Sequence, residues 1–330
     1  MTEIKTIFHK NFNFLQSKDF YKLTKKRDFI FDKFFVEYLT QYNANFNYQN
    51  ISFELNDTKN ILFCPLTIET KNSQKNLNFY GRPFVICKNT NNQNVFQKKL
   101  FDTLSELIDK NSITNFMLKK YVNDNEINKY MEIDLKNIDA IYTDNVIDLQ
   151  LPLTKIFKDF SKGHKSAVKK DYSELSYYIY DHNNYKKNQI FEMMELHHIV
   201  SNKKTRPEKS WLVNEKMIIN GQAFLIKIMN KDKLISYSLF FHGNFYAVYF
   251  SSCSIRETFS TFKNLTHKSI WKAIEYLKKI KCSHLVMDKT KTLYSAMSTT
   301  DKETSIQRFK RSFGGSPENY IVYKKIPDKI

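Results

Sequence analysis

Two periodicities alternate along the chain. Residues 19–41 place apolar side chains at helical spacing among many charges and read as one or two helices. Residues 51–55 and 61–67 read as strands, followed by 77–80 and 84–87 as a hairpin around Gly81, Arg82 and Pro83. Residues 95–110 form an amphipathic helix with Val95, Phe96, Leu100, Leu104, Leu107 and Ile108 on one side. Residues 115–121 read as a strand. A short strand ends at Leu149. Pro152 then opens a helix that runs to Phe160, and Gly163 separates it from a second, basic helix over 164–170.

The second half repeats the alternation. A strand over 175–180 precedes helices over 187–202 and 209–219. Three strands follow at 223–229, 234–241 and 245–252, joined by hairpin-sized connections. A helix over 265–280 leads to a strand at 284–287, and a helix over 302–311 leads to a last strand at 320–324. The second half thus reads β-α-α-β-β-β-α-β-α-β, and the first half follows a similar order. The expected fold class is mixed α/β, with two domains spanning 1–150 and 151–330, a division that the length of 330 residues accommodates.

Composition changes this picture little. Hydrophobic residues make up 42% and aromatics 15%, enough for sizeable cores. The net charge of +18 invites a polyanion, but only six of the 52 basic residues are arginine. Lys, Asn, Ile, Phe and Tyr are abundant together while Gly, Pro and Arg are scarce, so much of the charge reads as background composition. Affinity for nucleotide phosphates or RNA stays open. Cys64, Cys87, Cys253 and Cys282 form no CxxC pair and read as reduced and buried. The first residues lack the apolar core of a signal peptide, and no apolar run approaches membrane-spanning length. A cytoplasmic protein is expected, with peripheral membrane association left open. No histidine pair has metal-ligand spacing, and there is neither a GxSxG nor a phosphate-loop motif. No metal and no tightly bound cofactor are expected.

Three segments carry a resemblance. Residues 147–172, IDLQLPLTKIFKDFSKGHKSAVKKDY, resemble the piece that joins the two halves of Fem-type transferases, which add amino acids to peptidoglycan precursors and have relatives in surface-glycan biosynthesis. Residues 221–254 resemble that family's central meander. IQRFKRSFGGSPENYIVYKK, from Ile306, is similar to its terminal helix, loop and strand. The resemblance covers roughly 146–325 and is weak before residue 140. It implies tandem GNAT-like domains, each a mostly antiparallel sheet flanked by helices. It also implies N-acyl or N-aminoacyl transfer to an amine of a cell-envelope precursor, nucleotide-linked or lipid-linked. The donor it implies is aminoacyl-tRNA or acyl-CoA.

By that resemblance Lys310, in the pair Phe309-Lys310, stabilises the oxyanion of the tetrahedral intermediate. On its own, the same lysine fits a solvated helix terminus favoured by the helix dipole. Arg308 and Arg311 are candidates for donor phosphates, or ordinary end-of-helix charges. Gly314 suits a helix stop, and Gly315 an open approach beside Lys310. Arg206, in the loop 203–207, is the candidate for an acceptor diphosphate, since its fork matches phosphate oxygens. Tyr246 and Tyr249 lie three apart on a strand and should face opposite ways, with Tyr249 the candidate for a hydrogen bond in the cleft. Asp288 is a candidate base, or a cap. Residues 251–270 lack the glycine-rich loop with which CoA-dependent relatives cradle a pyrophosphate, which favours the tRNA donor. Two other readings remain: a non-catalytic nucleic-acid-binding protein, and a degenerate scaffold that binds glycan precursors.

Overall fold

A computed structural model of the chain describes residues 4–9, 33–42, 46–57, 61–64, 66–78, 84–86, 93–121, 138–256, 261–262, 264–291 and 300–323. Eleven strands form one long sheet. From one edge to the other they are β10 (Leu175–Tyr180), β11 (Ala223–Asn230), β12 (Lys233–His242), β13 (Tyr246–Ser254), β14 (His284–Lys291), β9 (Ile138–Asp148), β15 (Ser316–Tyr323), β8 (Asn115–Tyr121), β6 (Gln74–Asn78), β5 (Thr67–Lys71) and β2 (Asn47–Asn50). A separate sheet orders β1 (Lys5–Phe8), β3 (Phe53–Asn56), β4 (Ile61–Cys64) and β7 (Phe84–Ile86).

Two neighbouring pairs in the long sheet are parallel, β13 with β14 and β6 with β8. Parallel neighbours need a crossover. Helix α7 (Leu265–Lys279) lies between β13 and β14 in the chain, and α2 (Gln93–Asn111) lies between β6 and β8. Each half therefore runs from antiparallel strands through a helix to a parallel strand, the expected tandem GNAT-like order. The halves also exchange strands. β9 lies between β14 and β15, and β15 lies between β9 and β8.

Helices cover both faces of β10 to β14. On one face sit α3 (Leu153–Asp159), α4 (Lys162–Lys169), α7 and α8 (Asp301–Arg311). Their core joins Ile156, Phe160, Ile270, Ile274 and Phe313 to Phe224, Phe240, Ala247 and Tyr249 of the sheet. On the other face sit α1 (Lys33–Tyr42), α5 (Gln189–Ser201) and α6 (Glu208–Ile219). There Tyr38, Met193 and Trp211 pack on Leu225, Tyr237 and Phe241. Phe240 and Phe241 fall in opposite cores, as period-two alternation requires of a strand buried on both sides.

Several expectations are corrected. The strand expected over 61–67 is two strands, β4 and β5, in different sheets. The expected hairpin is not one: β6 pairs with β5 and β8, while β7 pairs with β4. Its turn, Gly81 to Pro83, lies outside the described residues, as do Cys87 and most of the helical stretch expected over 19–41. Val95, expected on the apolar side of its helix, is 47% exposed. The break before α4 falls at Ser161 rather than Gly163, because the Ser161 hydroxyl accepts from the His164 backbone N–H and caps the helix. β14 continues past Met287 to Lys291, so Asp288 lies within a strand. β1 and β2 carry no strong alternation and were not expected from the pattern.

Candidate functional site

The parallel pair β13/β14 is short. It joins Tyr246 to His284, Ala247 to Leu285 and Val248 to Val286, and no further residues pair. Beyond that point β13 follows β12 as far as Ser254 opposite Ser236, and β14 follows β9 as far as Lys291 opposite Tyr142. The strands part, leaving backbone edges that face an opening in the middle of the sheet. Both strands are irregular there. The β12/β13 register shifts between Leu239 and Phe240, which places Phe250 as an extra residue, and the β14/β9 register shifts between Val286 and Lys289.

The bulge sorts the side chains of β13. Tyr249 stands on the α7 face in the core with Phe240, and its hydroxyl lies 2.5 Å from the Ser252 hydroxyl. Tyr246 packs on the other face, as its spacing from Tyr249 demands. Phe250 and Ser251 face the α5/α6 side, where both meet Arg206.

Helix α8 packs against β14. A complete capping box starts the helix: the Thr300 hydroxyl accepts from the Glu303 N–H, and the Glu303 carboxylate accepts from the Thr300 N–H. Lys310 is the one buried residue of α8, at 9% exposure, whereas Arg308 and Arg311 on either side are exposed. Phe309 is half-buried against Phe313 and two imidazoles. His164 and His267 have ring centroids 4.3 Å apart, and both rings touch Phe309 and Phe313. Burial holds His267 down at about 4, with His164 beside it pushing the same way. Burial also lowers His164, opposed by its bond to the Phe309 carbonyl.

The last turn of α8 is tied to the segment 145–164. The Asn145 amide donates to the carbonyls of Gly314, at 2.6 Å, and Lys310, at 3.4 Å. The Ser161 N–H donates to the Ser312 carbonyl at 2.8 Å, and His164 Nε2 lies 3.0 Å from the Phe309 carbonyl. The glycine pair makes this approach possible. Gly314 has φ +72°, and a Cβ there would lie 2.8 Å from Asp159 Cβ and from its carbonyl oxygen. Gly315 has φ +90°, and a Cβ there would lie 2.5 Å from the Val146 carbonyl oxygen. The expected open approach at Gly315 is instead a tight backbone crossing against β9.

Arg206 occupies a different setting, on the opposite face. Its guanidinium lies 4.1 Å from the Trp211 ring centroid and 5.5 Å from that of Phe250. It donates to the Ser251 hydroxyl at 2.9 Å and to the Tyr38 hydroxyl at 3.4 Å. The nearby His197 is held at about 4, first by burial and then by the Arg206 charge. Next to this clamp, a pocket of about 460 Å³ opens between α1, β2, β5 and the start of α6. Thr40, Gln41, Phe46, Tyr48, Asn50, Thr67, Pro207 and Lys209 line it. The structure brings together Lys310, Phe309, Gly314 and Gly315 and sets Tyr249 beneath α7. Arg206 and Tyr246 lie on the other face. Asp288 falls within the irregular stretch of β14, between Val286 opposite Val146 and Lys289 opposite Asp144. Asn145 and His267 were not singled out from sequence, since each meets its partners only across the fold.

Charge is divided between the two helical layers. The four helices on the Lys310 face carry thirteen Lys and Arg against four Asp and Glu. The three on the opposite face carry three against five. Among the described residues, no cluster of three or more His, Cys, Asp and Glu is placed to hold a metal ion, and no helix is long and apolar enough to cross a membrane. Cys64, Cys253 and Cys282 are buried free thiols.

No protein-family model and no curated protein matches the chain. Solved structures do match its fold. FemX superposes with a TM-score of 0.60 at 10% identity, over 83% of this chain and 88% of FemX. L-PGS from Bacillus licheniformis gives 0.54 at 9% identity, over 84% and 85%. A conserved protein of unknown function from Bacteroides thetaiotaomicron gives 0.57 at 12% identity, over 98% and 100%. The chain shares its fold with these structures.

Proposed function

We propose that this chain is a Fem-type transferase that moves an aminoacyl group from aminoacyl-tRNA to an amine of a cell-envelope precursor. The observation that carries this reading is a lysine, Lys310, buried in the last turn of a helix that packs against β14, the strand whose pairing with β13 ends at Val286. A lysine held in a preorganised place can meet developing negative charge with little solvent reorganisation. The acceptor amine attacks the ester carbonyl, a C–N bond forms, and the ester C–O bond breaks. The proton lost by the amine ends on the departing ribose hydroxyl. Lys310 stabilises the oxyanion between these steps, and the hydroxyl of Tyr249 orients groups entering from the α7 side.

The charge layering supports RNA as the donor. Besides Lys310, the four helices of its face carry twelve cations, more than the phosphates of one CoA require. Arg308 and Arg311, exposed on α8, are phosphate contacts in this reading. The absence of glycine from residues 251–270 also disfavours a pyrophosphate cradle. The pocket beside α6 takes the acceptor, sugar- or peptide-bearing, with Lys209 at its rim and Arg206 holding its wall. The chain divides near residue 150 into two functional units. Catalysis is assigned to the second, in the cytoplasm, with no metal or tightly bound cofactor.

The test is transfer from tRNA charged with labelled amino acids to UDP-linked muropeptide and to lipid-linked precursors, counted after mild alkali, which cleaves esters but spares amides. Alkali-stable product that disappears with Lys310→Met supports the reading. Label arriving only from acetyl-CoA overturns the donor assignment. RNA binding without any transfer favours the non-catalytic alternative.

A further inference from the structure

We infer that His164 is a positioning residue for Lys310, acting through the Phe309 carbonyl; the inference rests on the catalytic reading of Lys310. Helix α8 has an unusual burial pattern. Its one buried residue is the lysine, so it lacks the wide buried apolar stripe that normally fixes a surface helix. Its grip on the body is concentrated at residues 309–314. The last carbonyls of a helix have no partner within it, and a buried end must find partners elsewhere. Here Asn145, Ser161 and His164 supply them, and the Phe309 and Phe313 rings pack on His164 itself.

Asn145 holds the carbonyl of Lys310 itself at 3.4 Å, and His164 holds the carbonyl one peptide before it at the shorter distance of 3.0 Å. A carbonyl only accepts, so Nε2 of His164 carries the hydrogen, and in the neutral ring Nδ1 is the acceptor. A ring fixed in one tautomer, wedged between His267 and Phe313, sets both the height and the rotation of the turn from which Lys310 projects. Lysine has a long, rotamer-rich side chain, and a small tilt of its backbone moves its ammonium by more than the tilt itself. Segment 161–164 and segment 309–314, far apart in sequence, thereby form one device. The linker helix α4 docks the start of its backbone onto the end of α8, which also aligns the helix dipoles favourably.

His164→Phe keeps the ring packing and removes the donor. His164→Gln restores an N–H near the position of Nε2. In His164→Phe, amide hydrogen exchange across residues 309–314 is expected to accelerate by about tenfold, the equivalent of one hydrogen bond. Exchange elsewhere should be unchanged, and His164→Gln should recover most of the protection. Transfer should follow the same order, with kcat reduced by about tenfold in His164→Phe, KM for charged tRNA unchanged, and recovery in His164→Gln. Unchanged exchange in His164→Phe, or loss of protection in His164→Gln equal to that in His164→Phe, overturns the inference. A two-bond nitrogen–proton spectrum of the unaltered protein decides it if His164→Phe does not fold: an Nε2–H tautomer at His164 supports it, and an Nδ1–H tautomer overturns it. If the unaltered protein transfers nothing, the proposed function falls, while exchange and tautomer still decide whether His164 holds the turn.

Discussion

Lys310 and Arg206 are both cations beside short basic segments, and the sequence offers both as anion-binding candidates. The fold treats them in opposite ways. At Lys310 the backbone turn is tied down and the side chain is buried. At Arg206 the side chain itself is the tie: it stacks on Trp211 and Phe250 and bonds Ser251 and Tyr38. In the proposed reading the cation that does chemistry is the one whose backbone is held by its neighbours, and the one whose side chain holds its neighbours serves the scaffold. The difference follows from the bulge at Phe250, which turns two successive residues of β13 toward Arg206.

The largest effect should come from the scaffold of the lysine turn. Gly315→Ala puts a Cβ 2.5 Å from the Val146 carbonyl at a φ of +90°. Denaturant unfolding should show a loss of about 4 kcal/mol or more. Stability equal to that of the unaltered protein would mean that the crossing against β9 is not as tight as described. Lys310→Met should come next, with transfer falling at least about a hundredfold, or ~3 kcal/mol, at nearly unchanged melting temperature. Arg206→Ala should do the reverse. It should unfold about 2 kcal/mol more easily, with the effect of Arg206→Lys nearly as large because lysine cannot stack and fork in the same way, while the chemical step is spared. If Arg206→Ala instead abolished transfer in a stable protein, the contrast between the two cations would collapse.

Acid provides a smaller test. His197, His242 and His267 are each held at about 4 in the folded chain, mainly by burial, below the ordinary value of 6.5. The unfolded chain binds their protons first, so stability contributed by these neutral rings is complete above about pH 6.5 and declines as pH falls toward 4. Melting temperature measured across that window should drop steadily, and a flat profile would contradict the burial of these rings. The smallest effect concerns single charges on the Lys310 face. Replacing Lys158 or Lys165 by Gln should weaken binding of a labelled tRNA modestly and reduce its salt dependence, whereas Lys216→Gln on the opposite face should change neither.

Much of the second half was legible because its strands and helices follow clean periods. The bounds 175–180 are those observed, and α7 is displaced by one residue at its end. The first half was read less well for a local reason. Two short strands in succession look like one when the chain passes from one sheet to another without a polar break, as at 61–67. At the site, the helix, its lysine and the need for glycine were visible. What the glycines accommodate was not. Asp159 and Val146 lie more than 150 residues earlier, and no local pattern announces a backbone crossing. His164 was visible only as a histidine without a metal partner, because its role depends on a carbonyl 145 residues away.

The exchange of β9 and β15 has a consequence for how the protein is made. Thr143 and Asn319, which bond across those strands, are 176 residues apart. During synthesis the first half leaves the ribosome with β8 lacking the neighbour it has in the finished sheet, and it waits exposed until almost the whole second half has been translated. Such an edge is a template for the wrong partner, including the same edge on another nascent chain. The half that is synthesised first is thus completed last, and chaperone dependence should fall mainly on that interval.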